Sequence, residues 1–270
     1  MNPLKNIALG LLVIVFALAS FAAEGKNVSY KSGGETVQGM LYTPPGKGPF
    51  PAIIVIHEYW GLNEWVKEQA SKLSDQGYVA LAVDLYRGTV ADNPELAHQL
   101  MRGLPEDRAK RDLHAAFEFL PTQPKARKDR IGSIGWCMGG GYSLDVALQE
   151  PTLAADVIHY GHLATDSEAL NKINAAILGI FGGNDQGIPP ESVKMFEATL
   201  KQIGKRVEIK MYPDAGHGFE NPITKPGTAP TTPLMPGKER SRFWPILSRN
   251  KKRPLIAIGI RRLQRARSHK

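Results

Sequence analysis

One short stretch of this chain places a cysteine where a nucleophile would stand. The apolar run Ile131 to Ile134 leads into Gly-Trp-Cys-Met-Gly at residues 135–139, and a helix-like segment follows at once. A strand that turns sharply into a helix strains the residue at the turn and exposes its side chain. Glycines flank that residue because larger side chains would collide with the neighbouring strand and helix. The N–H groups that open the helix favour a thiolate and an oxyanion. The pattern indicates nucleophilic catalysis by Cys137, and a buried, inert cysteine in a tight turn is the alternative.

Two further candidates for this chemistry stand at later turns. Asp185 closes a Gly-Gly-Asn-Asp turn, and His217 lies in the Asp-Ala-Gly-His-Gly-Phe turn at residues 214–219. A carboxylate can hold an imidazole in one tautomer, and that imidazole can take the proton of a thiol. The order nucleophile, acid, histidine along a chain is typical of one large class of hydrolase folds. Cys137, Asp185 and His217 are therefore a candidate set for acyl transfer.

These residues meet only if a parallel sheet brings them to one edge. Apolar runs that alternate with helical patterns predict such an α/β fold, with a mostly parallel sheet covered by helices on both faces. The predicted strands are Val28 to Ser32, Thr36 to Tyr42, Pro51 to Ile56, Tyr78 to Val83, Ile131 to Ile134, Ala155 to Tyr160, Ala175 to Phe181 and Val207 to Met211. The predicted helices cover residues 63–75, 92–101, 105–120, 138–149 and 191–203.

Polar residues stand directly after the predicted strands. Glu58 follows the first buried strand, Asp84 and Arg87 follow the second, and Asp185 and His217 follow later ones. In open α/β sheets, ligands bind just past the carboxyl ends of the strands. Chance could supply one such residue, but a workable set in the right order indicates an active site at that edge.

At these residues the chain resembles the dienelactone hydrolase family of α/β-hydrolases, from about Val28 to Phe219. The motifs that carry the resemblance are His57-Glu58-x-x-Gly61, Asp84-Leu85-Tyr86, the cysteine turn at residues 135–140, Gly182-Gly183-x-Asp185 and Gly216-His217-x-Phe219. The resemblance implies an α/β-hydrolase fold and hydrolysis of lactones and related carboxylic esters through a Cys-His-Asp triad, with no cofactor.

The resemblance also implies a role for each matching residue. Cys137 would be the nucleophile, His217 the general base and Asp185 the group that orients the histidine. Glu58 corresponds to the family's glutamate that contacts the resting cysteine, and we expect it to act as a gate when the thiolate forms. The alternative for Glu58 is a solvated acid in a loop.

Four other residues are predicted to surround the reacting carbonyl. The oxyanion hole would be the backbone N–H of Met138, next after the nucleophile, together with that of Tyr59 from the loop after the first buried strand. Tyr86 and Trp136 could shape a small apolar pocket for the substrate.

Arg87 stands close to where the family carries an arginine that binds a substrate carboxylate. It follows Tyr86 directly, a placement that departs from the family's pattern. A guanidinium can bind a carboxylate through two hydrogen bonds. Two hypotheses stay open for Arg87, an anionic substrate and a structural salt bridge.

The net charge of +8 is a property of one end of the chain. Residues 238–270 carry twelve Lys or Arg against one acid, which leaves 22 basic and 25 acidic residues before position 238. The body is therefore mildly acidic, and the overall pI does not predict a nucleic-acid partner for it. A chain of 270 residues with 42% hydrophobic residues fits one domain of ordinary composition.

The first 23 residues are typical of a secretory signal. Lys5 supplies a positive start, Ile7 to Phe21 is apolar, and Ser20 and Ala22 are small residues at the −3 and −1 positions of a cleavage site. We expect export to the periplasm or beyond the cell, with cleavage near Ala22. An uncleaved membrane anchor is the alternative.

The predicted domain covers residues 24–221, and residues 222–270 form a tail. The tail is rich in proline and threonine as far as Pro236 and basic beyond it, unlike the amphipathic helix with which the family ends. A divergent, disordered extension is one interpretation. The other is a tether that contacts an anionic surface through its charge.

Other functions fit the sequence less well. His159 and His162 lie at a strand end with no cluster of Cys, Asp or Glu beside them, so we expect no metal site. A binding or scaffold protein that keeps the fold without the chemistry is a second hypothesis, and the same triad acting on another acyl or carbohydrate substrate is a third. We expect a small-molecule ester or lactone as the partner, and a monomer.

Overall fold

Eight strands form one sheet in the computed structural model, which describes residues 25–223. In chain order the strands are β1 (Lys26–Ser32), β2 (Glu35–Tyr42), β3 (Phe50–Ile56), β4 (Val79–Val83), β5 (Ala126–Trp136), β6 (Ala155–His159), β7 (Ala176–Gly182) and β8 (Val207–Tyr212). The predicted signal at residues 1–23 and all but the first two residues of the predicted tail lie outside the described residues.

Helices join most of the parallel strands. They are α1 (Glu64–Asp75), α2 (Pro94–Gly103), α3 (Glu106–Phe119), α4 (Met138–Gln149), α5 (Ser167–Leu170) and α6 (Pro190–Gln202), with a 3₁₀ turn at Leu120–Thr122. Among the described residues, no helix is long and apolar enough to cross a membrane.

The strands lie in the order β1-β2-β4-β3-β5-β6-β7-β8. Strand β2 runs antiparallel to both β1 and β4, and every pair from β4 to β8 is parallel. The carboxyl ends of six strands therefore meet at one edge. The pairing of Ile56 in β3 with Gly135 in β5 brings the residues after β3 beside the cysteine turn.

The central strands form because their side chains are buried on both faces. Every residue of β4, β6 and β7 is buried, and these strands are short runs of mostly Val, Ile, Leu and Ala. Strand β2 instead alternates between exposed and buried residues over most of its length, as expected near a sheet edge.

Local capping fixes where two of the helices begin. The Asn63 side chain accepts a hydrogen bond from Val66 N at 3.1 Å, and the Asn93 side chain accepts one from Leu96 N at 2.9 Å. Past the end of α1, Gly77 has φ +93° and donates its N–H to Ser74 O at 2.9 Å. A glycine with positive φ directly past the last turn is a common way for a helix to end.

The predicted α/β architecture is confirmed, and two elements differ from the sequence prediction. Strand β5 was predicted only at Ile131 to Ile134, but it starts at Ala126. Its first half is mostly charged and partly exposed, so no apolar run marks it. The short helix α5 was not predicted, because a single turn of helix leaves too few residues for a periodic pattern.

Candidate active site

The turn between β5 and α4 has the strained geometry that its sequence predicts. Cys137 adopts φ +53° and ψ −117°, outside the region that residues with a side chain prefer. A Cβ built on Gly139 would lie 2.5 Å from the carbonyl oxygens of Ile56 and His57, and one on Gly135 would lie 2.0 Å from that of Gly139. Only glycine fits at either position, so the helix can approach the strand and aim Cys137 outward.

The three predicted catalytic side chains form one hydrogen-bonded chain. Cys137 Sγ lies 3.0 Å from His217 Nε2, and His217 Nδ1 lies 2.8 Å from Asp185 Oδ2. The other oxygen of Asp185 accepts from Gly187 N at 2.8 Å and Ile188 N at 3.0 Å. Because Asp185 is buried and fixed in this way, it can hold the partly exposed imidazole in the tautomer that turns Nε2 toward the sulfur.

The surroundings of the Cys137 sulfur disfavour its ionised form, the thiolate. The pKa of the thiol is raised to about 12, chiefly by burial and in smaller part by the carboxylates of Glu58 and Asp185. The backbone N–H groups of Met138 and Tyr59 hydrogen-bond to the sulfur and act in the opposite direction. The two groups named for the oxyanion hole thus converge on the nucleophile, and the resting sulfur carries its proton.

Glu58 is buried, with 2% of its surface exposed, and so it does not lie in solvent. Its Oε1 accepts a hydrogen bond from the Tyr160 hydroxyl at 3.2 Å, and its Oε2 accepts one from Asn221 Nδ2. Burial raises the pKa of this carboxyl to about 7, while both hydrogen bonds lower it. The alternative of a solvated loop acid is therefore wrong.

His57, the residue before Glu58, ties two strand ends together. Its Nε2 accepts from Leu85 N at 3.2 Å, so the proton sits on Nδ1, which donates to Glu58 O at 2.6 Å. Burial lowers the pKa of the ring and keeps it neutral. The loop that carries Glu58 and Tyr59 is held in place by this contact with the turn after β4.

Arg87 makes the contacts of a structural ion pair. Its Nη2 lies 2.8 Å from Glu35 Oε2 and 2.7 Å from Asp112 Oδ2, and the Asp112 side chain is fully buried. The hypothesis that Arg87 binds a substrate carboxylate gains no support from these contacts. Its neighbour Tyr86 does reach the site, where the hydroxyl donates to Met138 Sδ at 3.3 Å.

Trp136 lies behind the cysteine turn instead of lining an open pocket. Its side chain is fully buried, stacks on His159 with ring centroids 5.0 Å apart, and donates Nε1–H to Glu220 Oε2 at 3.0 Å. The same carboxylate oxygen lies 2.8 Å from His159 Nδ1. The prediction that Trp136 lines the substrate pocket gains no support from this buried position.

Three side chains with clear contacts near the site were missed by sequence reasoning: Tyr160, Glu220 and Asn221. The last two follow His217 by only three and four residues, which is the one signal that could have pointed to them. Tyr160 follows β6 directly and was predicted only as the last residue of that strand. Within residues 25–223, no three His, Cys, Asp or Glu side chains are grouped so that they could hold a metal ion.

Comparison with known proteins shows the family to which this chain belongs. The model of the dienelactone hydrolase family matches residues 37–232, a stretch that includes β3, the cysteine turn and the histidine loop. The chain belongs to the dienelactone hydrolase family. This result confirms the resemblance read from the motifs and places the chain among hydrolases.

Relatives within this family are about a third identical to the chain over the aligned stretch. One from Methylorubrum extorquens, named as a carboxymethylenebutenolidase, is 34% identical over 190 residues, which cover 65% of this chain and 65% of the relative. One from Saccharolobus solfataricus with the same name is 31% identical over 235 residues, covering 73% of this chain and 89% of the relative.

The solved structures add a similar fold. A dienelactone hydrolase-like promiscuous phosphotriesterase from metagenomic libraries superposes with a TM-score of 0.70 at 26% identity, covering 83% of this chain and 95% of that one. The β-sheet and its connections are thus those of the dienelactone hydrolases.

Proposed function

We propose that this dienelactone hydrolase family member hydrolyses small carboxylic esters or lactones through an acyl intermediate on Cys137. The observation that carries the proposal is the chain of contacts from Cys137 Sγ through His217 to Asp185 at the carboxyl edge of the sheet. The names of the relatives, carboxymethylenebutenolidases, support a lactone as one substrate class.

Acylation would begin with transfer of the thiol proton to His217 Nε2. The sulfur forms a bond to the carbonyl carbon, and the carbonyl oxygen becomes an oxyanion that the N–H groups of Met138 and Tyr59 can bind. Collapse of this intermediate breaks the bond to the leaving oxygen. The imidazolium of His217 returns its proton to that oxygen, which leaves as an alcohol or as the far end of an opened lactone.

Deacylation would repeat these steps with water. His217 takes a proton from the attacking water, the C–S bond breaks, and the sulfur regains a proton as the acid leaves. Asp185 keeps the imidazole oriented and stabilises its charge in both halves of the reaction.

The proposed site should favour activated substrates. A thiolate is a good leaving group, so the first intermediate returns to substrate unless the leaving oxygen departs easily. Enol lactones and aryl esters meet that condition, and amides do not.

The test is hydrolysis of a dienelactone, an aryl acetate and an aryl thioester by the purified mature protein and by its Cys137→Ala variant. We expect the variant to lose turnover by a factor of at least about 1,000, the scale at which loss of a triad nucleophile is felt. Equal turnover in both proteins would show that Cys137 is a structural thiol. No turnover in either would favour the second hypothesis, a binding protein on the same fold.

Two further expectations join this proposal. We propose that the chain is exported by its first 23 residues, and that the basic segment 238–270 contacts anionic surfaces. Fractionation of cells that express the full chain, with the mass of the mature protein, tests cleavage near Ala22. Sedimentation equilibrium tests the expected monomer.

A further inference from the structure

The segment that carries the general base also supports a second group in the site. Asn221 follows His217 by four residues, and its Nδ2 donates to Oε2 of the buried Glu58. Its Oδ1 accepts from Ile223 N at 2.9 Å, which fixes the direction of the amide. One loop thus holds both the histidine and a hydrogen-bond donor for the glutamate.

The hydrogen-bond donors to Glu58 are neutral, whereas another buried acid, Asp112, lies beside cations. Asp112 is fully buried and lies 2.7 Å from a nitrogen of Arg87 and 3.9 Å from one of Arg111. The hydrogen bonds to Glu58 come from an amide and a phenol, which favour the carboxylate without supplying a positive charge. A buried carboxylate with such partners exchanges its proton near neutral pH.

The groups that face Glu58 come from each element around it. They are Cys137 from the turn after β5, Tyr160 from the end of β6, Glu220 and Asn221 from the loop after β8, and Tyr59 from its own loop. Glu220 acts by like charge and opposes the ionised form of Glu58. After burial, the hydrogen bond from Asn221 has the largest influence on the pKa of Glu58 and lowers it, and the hydrogen bond from Tyr160 acts in the same direction.

We propose that Asn221 is a positioning residue that holds the Glu58 carboxylate and thereby sets the reactivity of Cys137. An ionised Glu58 lies near the sulfur and disfavours the thiolate by like charge, whereas a protonated Glu58 does not. Since Asn221 supports the ionised form, it lowers the fraction of Cys137 present as thiolate at neutral pH, in addition to the effect of burial. This inference rests on the proposed function only in so far as the thiolate is the nucleophile.

The sole cysteine of the chain makes the inference testable without a substrate. Cys137 is the one thiol in 270 residues, so the rate of alkylation by iodoacetamide reports on it alone. In the unaltered protein, we expect the rate to rise with pH, flatten as Glu58 ionises near pH 7, and rise again. In Glu58→Gln the flattening should be absent.

The decisive variant is Asn221→Leu, which removes the donor at nearly constant volume. Loss of a hydrogen bond to a charged group should move the flattening up by about one pH unit or more. Alkylation at pH 7.5 should then be about threefold to fourfold faster than in the unaltered protein. The double variant with Glu58→Gln should match Glu58→Gln alone.

Two further variants, one at the same position and one control, keep the test informative if Asn221→Leu folds poorly. Asn221→Ser keeps a hydroxyl that can accept from Ile223 N but is too short to reach Glu58, so it should shift the profile in the same direction. Asn174→Leu removes an exposed amide that donates to Pro151 O at 3.2 Å, far from the site, and should leave the profile unchanged.

A folded Asn221 variant whose alkylation profile matches that of the unaltered protein would overturn the inference. So would a double variant alkylated faster than Glu58→Gln alone by the same factor, because Asn221 would then act without Glu58. The outcome is independent of ester hydrolysis. If the alkylation profile shifts but the protein hydrolyses no ester, the proposed function is contradicted and the role of Asn221 is supported.

Discussion

Asp185 contacts the imidazole of His217, which in turn contacts the sulfur of Cys137. One of its oxygens is held by two backbone N–H groups and the other faces His217 Nδ1, so the carboxylate is oriented before any substrate binds. Asp185 should therefore contribute to the reaction by fixing the tautomer of His217 and stabilising its positive charge, and not by binding the substrate.

Replacement of Asp185 by Asn should leave the fold intact and lower kcat. The amide can present its NH₂ to Nδ1 and so favour the wrong tautomer, a change that costs a serine triad about 10,000-fold. A thiol is more easily deprotonated than a hydroxyl, so we expect a loss of about 100-fold or more in kcat with little change in KM.

The matched control is Asp214→Asn, an exposed acid on the histidine loop. It removes the same charge three residues before His217 and should keep full activity. Similar losses in both variants would show that the net charge of the loop matters and the contact with Nδ1 does not.

The turn from β5 to α4 depends on close contact between a helix and the strand beside it. Gly139→Ala would place a methyl group 2.5 Å from two backbone oxygens that cannot move without displacing the end of β3. We expect a loss of about 2 kcal/mol or more in the free energy of unfolding, measured by urea denaturation, because overpacking costs about 1–3 kcal/mol.

Gly103→Ala is the control for this prediction, since an added methyl at that helix position meets nothing within 4 Å. It should be neutral or slightly stabilising. A Gly139→Ala protein as stable as Gly103→Ala would mean that the helix can shift away from the strand at little cost.

Strand β6 contains a buried acid whose titration should affect stability. Asp156 is fully buried, accepts from Ser133 Oγ at 2.9 Å, and has a pKa raised by burial to about 7 from an ordinary value of 3.8. Between these values the folded protein holds a proton that the unfolded chain has lost. Its stability should therefore fall as the pH rises from about 4 to about 7.

Asp156→Asn should remove that fall, because an amide does not ionise. Relative to the unaltered protein, the variant should gain on the order of 2 kcal/mol between pH 5 and pH 8, since one pKa unit corresponds to about 1.4 kcal/mol. The measurement is urea denaturation at both pH values, with the exposed Asp129→Asn as control. Parallel pH dependence in all three proteins would contradict the prediction.

The C-terminal segment 238–270 and the rest of the chain carry net charges of opposite sign. Twelve basic residues and one acid lie in residues 238–270, while the remainder has a net charge of −3. Full-length protein should sediment with anionic lipid vesicles at low salt and detach at about 0.5 M salt, where charges are screened beyond a few ångström.

A chain that ends at residue 237 should not sediment with these vesicles at either salt concentration. Neutral vesicles are the control for apolar binding. Sedimentation of the shortened chain with anionic vesicles would assign the contact to the folded domain.

The sequence was enough to place most of the sheet and the triad. Runs such as Ala52 to Ile56 are typical of strands buried on both faces in a parallel sheet, and the glycines around Cys137 are typical of a tight strand-to-helix turn. These features follow from local sterics and burial, so they can be read from neighbouring residues.

What could not be predicted depends on contacts between distant segments. Arg87 meets Glu35 and Asp112, 52 and 25 positions away, and no local pattern indicates which acid a surface arginine will choose. Asn221 meets Glu58 across 163 positions. Such pairings appear only once the strand order has brought the two loops together.

The protonated state of Cys137 also determines how long the protein survives outside a reducing compartment. Peroxide attacks the thiolate and hardly reacts with the thiol, so a sulfur whose pKa is about 12 is converted slowly to sulfenic acid. A chain with one cysteine has no second thiol to rescue it by forming an internal disulfide. The burial that disfavours the thiolate of Cys137 should thus also slow its oxidation.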